Sequence, residues 1–114
     1  SVVDKFKEVK ESIVIGQKWD NDVRIILFVV LKKPKSLNED LSFNLKKAIR
    51  KDASPRHVPK KIIEVSDIPR TKNGKIVEIA VRNTVEGIKI KNIQALINPN
   101  ILNEFKNLDE LKTP

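Results

Sequence analysis

The run Val23-Arg24-Ile25-Ile26-Leu27-Phe28-Val29-Val30-Leu31 constrains this chain more than any other stretch. It is apolar almost without a break and rich in β-branched residues, so it reads as a strand. A strand with no polar face needs cover on both sides. A chain of 114 residues holds material for one small domain with a modest core. The expectation is an α+β fold: a small antiparallel sheet of about three strands plus a projecting β-hairpin, flanked by helices, with Val23 to Leu31 at the centre. Glu11 to Trp19 holds Ile13-Val14-Ile15, a second strand, and Trp19-Asp20-Asn21-Asp22 is a turn by composition, so these two strands should pair as a hairpin.

Around that unit the pattern changes period. Val2, Val3, Phe6 and Val9 recur at helical spacing and predict a short opening helix, one without a cap, so that the start reads like a cut. Pro34 closes the first hairpin, and Ser36 with Glu39 three residues on is a capping box for the next helix. Leu37, Leu41, Leu45, Ala48 and Ile49 form its apolar stripe, while Lys46, Lys47, Arg50 and Lys51 gather in its last turns. The two prolines of Ser54-Pro55-Arg56-His57-Val58-Pro59 argue against helix there. Lys61 to Val65 is a third strand. Ile76, Ile79, Ala80 and Val85 suit a helix ending near Gly87, Ile88 to Ile97 is ambiguous, and Asn98-Pro99 starts a last helix with Ile97 able to staple onto Leu102. Ile101, Leu102, Phe105 and Leu108 give that helix its apolar face.

The stretch Ile68-Pro69-Arg70-Thr71-Lys72-Asn73-Gly74-Lys75-Ile76 has the composition of a turn with a chemical purpose. Asn73-Gly74 between two β-capable runs predicts a two-residue type I′ hairpin. Lys72 and Lys75 would then face each other across the ladder, with no carboxylate between Arg70 and Lys75 to relieve them. A solvated surface hairpin is one reading, and a tip built to meet an anion is the other. The charge distribution bears on both: from Lys46 to Lys75, ten Lys or Arg against Asp52, Glu64 and Asp67 carry +7 of the chain's formal +8. A localised field of that sign suits a phosphate-bearing partner, although the cations near the end of the second helix are equally the ordinary complement of a helix dipole.

Several chemistries are excluded outright. With no Cys there is no disulfide, thiol nucleophile or Cys-based metal site, and the single His57 makes no metal cluster alone. Between its prolines His57 reads as a hydrogen-bonding residue rather than a base, since no partner nucleophile is evident. Gly16 reads as a bulge or close approach in its strand. No apolar stretch nears the roughly 18 residues that span a bilayer, and the first residues lack signal-peptide order, so cytoplasm is the default expectation. The mean hydropathy of −0.34 with 39% hydrophobic residues fits a folded chain rather than a disordered tail.

The order Pro69-Arg70-Thr71, two residues, then Gly74-Lys75 resembles the C-terminal signature of the adenylate-forming acyl-CoA synthetases. The resemblance runs along the whole chain: Val14-Ile15-Gly16-Gln17, the Leu27 to Leu31 run, Ser54 to Pro59 and Asn98-Pro99 look like the acetoacetyl-CoA synthetase branch, with acetate and propionate synthetases as close relatives. Asn73 stands where many relatives have a serine, a change that keeps the turn. The resemblance implies that residues 1–114 are a single domain, the mobile C-terminal lid of a larger ligase whose N-terminal adenylation domain and hinge lie outside this sequence. It implies Lys75 as the catalytic residue of adenylation, with Gly74 letting the backbone pass close to the nucleotide. By position before that lysine, Arg50 matches an arginine on the CoA nucleotide, and Gly16 falls near the pantetheine path. ATP, CoA and a small carboxylic acid are the implied substrates, with Mg²⁺ accompanying ATP in the other domain. This chain has no Gly-rich phosphate loop or paired acidic residues of its own, and alone it should be inactive as a ligase.

Two other classes compete. A nucleic-acid-binding module would explain a pI near 9.8, but aromatics are only 4% of the chain, Tyr is missing, and Phe28 and Phe105 fall in core patterns. A stand-alone anion-binding adaptor would differ only in having no further domain.

Overall fold

The computed structural model describes all 114 residues, Ser1 to Pro114. Two long strands, β1 (Val9–Trp19) and β2 (Asp22–Leu31), form an antiparallel hairpin that runs from Trp19 opposite Asp22 back to Val9 opposite Leu31. Asp20 and Asn21 close it with φ of 49° and 60°, the paired left-handed conformation of a two-residue type I′ turn, whose twist matches the strands it joins. A third strand, β3 (Lys61–Glu64), lies on the far side of β2, giving the order β1-β2-β3 with the apolar run in the middle.

Side-chain alternation splits the core in two. Ile13 and Ile15 of β1 with Ile26, Phe28 and Val30 of β2 face one layer, completed by Ile63, Val65, Ile68, Val81, Phe105 and Leu111. Phe105 meets Phe28 edge to face, centroids 4.8 Å apart. Leu27, Val29 and Leu31 face the other way, onto Leu41, Leu45 and Ile49 of helix α1 (Glu39–Asp52). Helix α2 (Glu78–Val85) and the 3-10 segments Pro99–Phe105 and Asp109–Lys112 cover the first face. The α+β class, the three strands and the doubly covered central strand are as expected.

Other expectations are corrected. The sheet is mixed rather than antiparallel, because β3 pairs parallel to β2. The α1 crossover returns the chain to the end of the sheet at which β2 began, and a crossover of that length is what parallel pairing needs. The opening helix shrinks to a 3-10 turn, Val3–Lys5, since Val9 is already paired with Leu31. Asn38, not Ser36, caps α1: its backbone is extended and its side chain accepts from Leu41 N at 2.8 Å. Ser54 to Pro59 holds one 3-10 turn, Pro55–His57, with Ser54 as its cap. Gly87 ends α2 at φ +75°, with Ile88 N on Asn83 O and Gly87 N on Thr84 O, a Schellman closure. The ambiguous stretch holds only the 3-10 turn Ile93–Ala95. The helix after Asn98 is 3-10 in form, and Ile97, 63% exposed, does not staple it: Leu96 packs against Leu102 and Ala80 instead.

Candidate functional site

Ile68 and Pro69 are buried and anchor the hairpin at its base. From there Arg70 bridges to Ile76, Thr71 N donates to Lys75 O at 2.9 Å, and Val77 N donates to Pro69 O at 3.0 Å. The turn is not the expected type I′ pair. Gly74 alone has positive φ, +82°, while Asn73 does not, and Gly74 N donates back to Thr71 O at 2.9 Å. The loop is therefore the three-residue kind, Lys72 and Asn73 in an ordinary turn followed by a left-handed glycine. As a consequence Lys72 lies within the turn and is not the cross-strand neighbour of Lys75; that place belongs to Thr71, whose Oγ1 accepts from Lys75 N at 3.2 Å.

Lys75 is exposed, and the chain's three ion pairs leave it without a carboxylate. Gly74 has no neighbouring atom within 4 Å of where a Cβ would stand, so glycine serves the backbone conformation there, not space within this chain. Arg70 is committed structurally: its guanidinium pairs with Glu11 of β1, tying hairpin to sheet.

Gly16 and Arg50 lie apart from that tip. Gly16 is opposite Ile25 on the open edge strand, and a Cβ there would stand 2.8 Å from Val23 Cγ1, so close approach rather than a bulge explains it. It lines a shallow cleft with Val14 and the first turns of α2, at Glu78, Ile79 and Arg82. Val14 and Ile25 also line an apolar cleft with Ile49, Ala53 and His57 at the end of α1, and Arg50, exposed and without an ion pair, sits on that end of the helix. The structure thus puts Gly16 on β1 beside α2, Arg50 at the end of α1 and Lys75 on a separate projection, and no hydrogen bond or ion pair joins them. His57 holds Nδ1 2.7 Å from Ser54 Oγ, which also accepts from Arg56 N, a bond internal to the capped turn.

Sequence reasoning missed Arg24. It stacks on Trp19, with 3.8 Å from guanidinium carbon to ring centroid. It donates to Gln17 Oε1 at 2.8 Å, to Thr113 O at 2.8 Å and to Leu111 O at 3.2 Å, and burial lowers its pKa from the ordinary arginine value. An arginine interrupting an apolar strand was the available signal. Two of its hydrogen bonds tie β2 to the C-terminal turn. The aromatic inventory removes the support for nucleic acid: Phe28 and Phe105 are core, Arg24 covers Trp19, and only Phe43 is widely exposed. No group of three or more His, Cys, Asp or Glu comes together to hold a metal ion.

These features define a class. The chain belongs to the family described as the AMP-binding enzyme C-terminal domain, whose model matches residues 1–75. Within it, the chain is 54% identical over 111 residues to an acetoacetyl-coenzyme A synthetase of Rhizobium meliloti, covering 97% of this chain and 17% of that protein. Acetoacetyl-CoA synthetase from Streptomyces lividans superposes with a TM-score of 0.84 at 32% identity, over 98% of this chain and 17% of that one. A benzoate CoA ligase from Burkholderia xenovorans, also 32% identical, reaches a TM-score of 0.66 over 71% of this chain and 17% of its own. The chain thus spans about a sixth of the length of the relatives it matches.

Proposed function

We propose that this chain is the C-terminal lid of an ATP-dependent, AMP-forming acid–CoA ligase acting on acetoacetate, and that Lys75 is its adenylation residue. The observation that carries the reading is the mounting of Lys75: an unpaired ammonium next to a left-handed glycine at the end of a hairpin tied to the sheet. When a carboxylate attacks the α-phosphate of ATP, negative charge accumulates as the new bond forms and pyrophosphate leaves. A cation already held in place stabilises that charge without reorganising, an effect worth several kcal/mol. Gly16 and Arg50, both away from the hairpin tip, form the CoA-facing part, with Arg50 on the nucleotide phosphates. Having the two functions on different parts of one small domain supports a lid that turns between half-reactions. The acid pocket and most of the ATP site belong to the N-terminal adenylation domain. The absence of an acidic cluster here means that the residues present do not fit Mg²⁺, and no step is assigned to the metal in this chain.

The test is a split of the half-reactions. In the intact ligase, Lys75→Ala should lower acid-dependent adenylation by several powers of ten, at about 1.4 kcal/mol per tenfold. Supplied acyl-adenylate and CoA should still combine at near the normal rate. Acetylating Lys75 should give the same phenotype, because it removes the charge and keeps the stem. Equal damage to both half-reactions would assign the lysine to the fold instead.

A further inference from the structure

The hairpin strand that leads to Lys75 has two backbone edges. One is taken by its own return, through Thr71 N on Lys75 O and Val77 N on Pro69 O. The other edge is presented by Arg70, and it is filled from 28 residues downstream: Arg70 N donates to Asn98 Oδ1 at 2.9 Å. Beside it Ile97 N donates to Arg70 O at 2.9 Å, and Thr71 bridges to Leu96. The amide nitrogen of Asn98 completes the grip, donating to Ile68 O at 2.9 Å and to Asp67 Oδ2 at 3.3 Å. One side chain therefore holds positions 67, 68 and 70 together. Although Asn98 precedes the 3-10 segment Pro99–Phe105, its side chain makes no cap bond to it and is given to the hairpin instead. Behind it Leu96 is buried with Ala80 of α2 and Leu102, so the brace is anchored in the core.

We infer that Asn98 is a positioning residue for Lys75, fixing the angle at which the hairpin leaves the sheet and hence where the ammonium arrives. The inference rests on the adenylation role proposed for Lys75. Only a primary amide fits the position, because it accepts one bond and donates two. Alanine would leave the Arg70 N–H without its partner. Aspartate would lose both donated bonds and set its carboxylate against Asp67. The brace belongs to a segment beyond residues 1–75, the part matched by the family model. The brace is a second support for a hairpin that already carries its own ladder. Precision is what it adds, since displacing a reacting group by about 1 Å costs on the order of a hundredfold in rate.

The experiment uses the intact ligase carrying Asn98→Ala, Asn98→Asp or the pair Asn98→Asp with Asp67→Asn, beside Lys75→Ala. Acid-dependent exchange of pyrophosphate into ATP should fall at least about tenfold in Asn98→Ala, while conversion of supplied acyl-adenylate and CoA stays within about twofold. Asn98→Asp should fall as far, and adding Asp67→Asn should restore part of the rate, because the amide and carboxylate then pair in reverse. Tryptic cleavage after Arg70 should be about tenfold faster in Asn98→Ala than in the parent, reporting the loosened hairpin without reference to activity. Unchanged adenylation, or equal loss of both half-reactions with no recovery in the paired exchange, overturns the positioning role. Should Lys75→Ala spare adenylation, the role of that lysine falls, and the cleavage rate after Arg70 still decides whether Asn98 holds the hairpin. Should Lys75→Ala abolish adenylation and Asn98→Ala leave it intact, the lysine stands and the brace does not.

Discussion

The turn at the hairpin tip offers a direct measurement of which residue carries the left-handed conformation. Replacing Gly74 by alanine puts a Cβ on a backbone with φ +82°, a conformation that costs an ordinary L-residue about 1–2 kcal/mol. No steric term adds to that, because nothing lies within 4 Å of the new atom. The penalty falls on a structure held by few bonds, chiefly Thr71 N to Lys75 O and Lys75 N to Thr71 Oγ1, so local opening should become roughly 5–30-fold easier. Amide exchange at Thr71 and Lys75 in the 114-residue chain, followed by NMR, should speed up by that factor, while amides of the β1–β2 ladder stay unchanged. Gly74→Asn should fall between, since asparagine tolerates left-handed backbone better than alanine does. Asn73→Ala should change exchange by less than about threefold, because Asn73 has no positive φ to lose. A two-residue type I′ turn would demand positive φ at both positions, so Asn73→Ala would then cost as much as Gly74→Ala. Equal acceleration by the two substitutions would refute the three-residue loop.

Other residues carry their own expectations. Arg50→Ala in the intact ligase should raise KM for CoA and spare pyrophosphate exchange, the loss of one exposed phosphate contact being worth on the order of 1–3 kcal/mol; a fall in exchange instead would remove Arg50 from the CoA side. Gly16→Ala brings a Cβ against Val23 Cγ1, but Val23 is 60% exposed and can turn away, so calorimetry should show a cost below about 1.5 kcal/mol. Any larger loss in the CoA half-reaction then belongs to function rather than fold. Arg24→Ala removes three hydrogen bonds and the stacking on Trp19 and leaves Gln17 Oε1 without a donor, which should lower stability by about 1–3 kcal/mol in thermal melts. No loss of stability would mean that the C-terminal turn holds without it.

What was legible in the sequence, and what was not, follows from the range of the interactions concerned. The apolar run of β2 announced a doubly covered strand because every residue in it reports burial, and the β1–β2 hairpin followed from the turn residues between two such strands. The choice of type I′ turn was a harder matter, since Asp20-Asn21 and Asn73-Gly74 are both composed for left-handed backbone. Strand length decided it. A ladder that runs from Trp19 and Asp22 to Val9 and Leu31 must keep its twist through the turn, whereas the isolated Arg70–Ile76 bridge accepts a looser loop. The direction of β3 was hidden for a similar reason: Lys61–Glu64 is apolar enough for either orientation, and the crossover through α1 sets the sign. Local pattern marks Asn98 as the start of a helix, which it is in position but not in side-chain bonding. Its partners at 67, 68 and 70 lie too far back for any local pattern to show.

The basic window from Lys46 to Lys75 can now be divided by what each charge is tied to. Of its ten cations only Arg70 has a carboxylate partner, Glu11, and only Lys61 reaches a side-chain hydroxyl, Thr113. The rest, Lys72, Lys75 and Arg50 among them, lie where nothing in this chain answers them. The chain's fifteen acidic residues outnumber the ten cations of this window, so the composition does not forbid pairing them. The one cation that is paired is the one whose backbone N–H and C=O are both held by the Ile97–Asn98 brace, so the ion pair adds to what holds the hairpin still, while Lys72 and Lys75 at the tip and Lys46, Lys47, Arg50 and Lys51 at the end of α1 stand free. Exposed ion pairs are worth little in water, and leaving these cations unpaired costs the fold correspondingly little. Against a phosphate in a closed, water-poor site the same charges are worth several kcal/mol. If the chain is the lid proposed above, the arrangement gives up almost nothing while the lid is open and has its full effect only on closure, as the proposed role of Lys75 in one half-reaction requires.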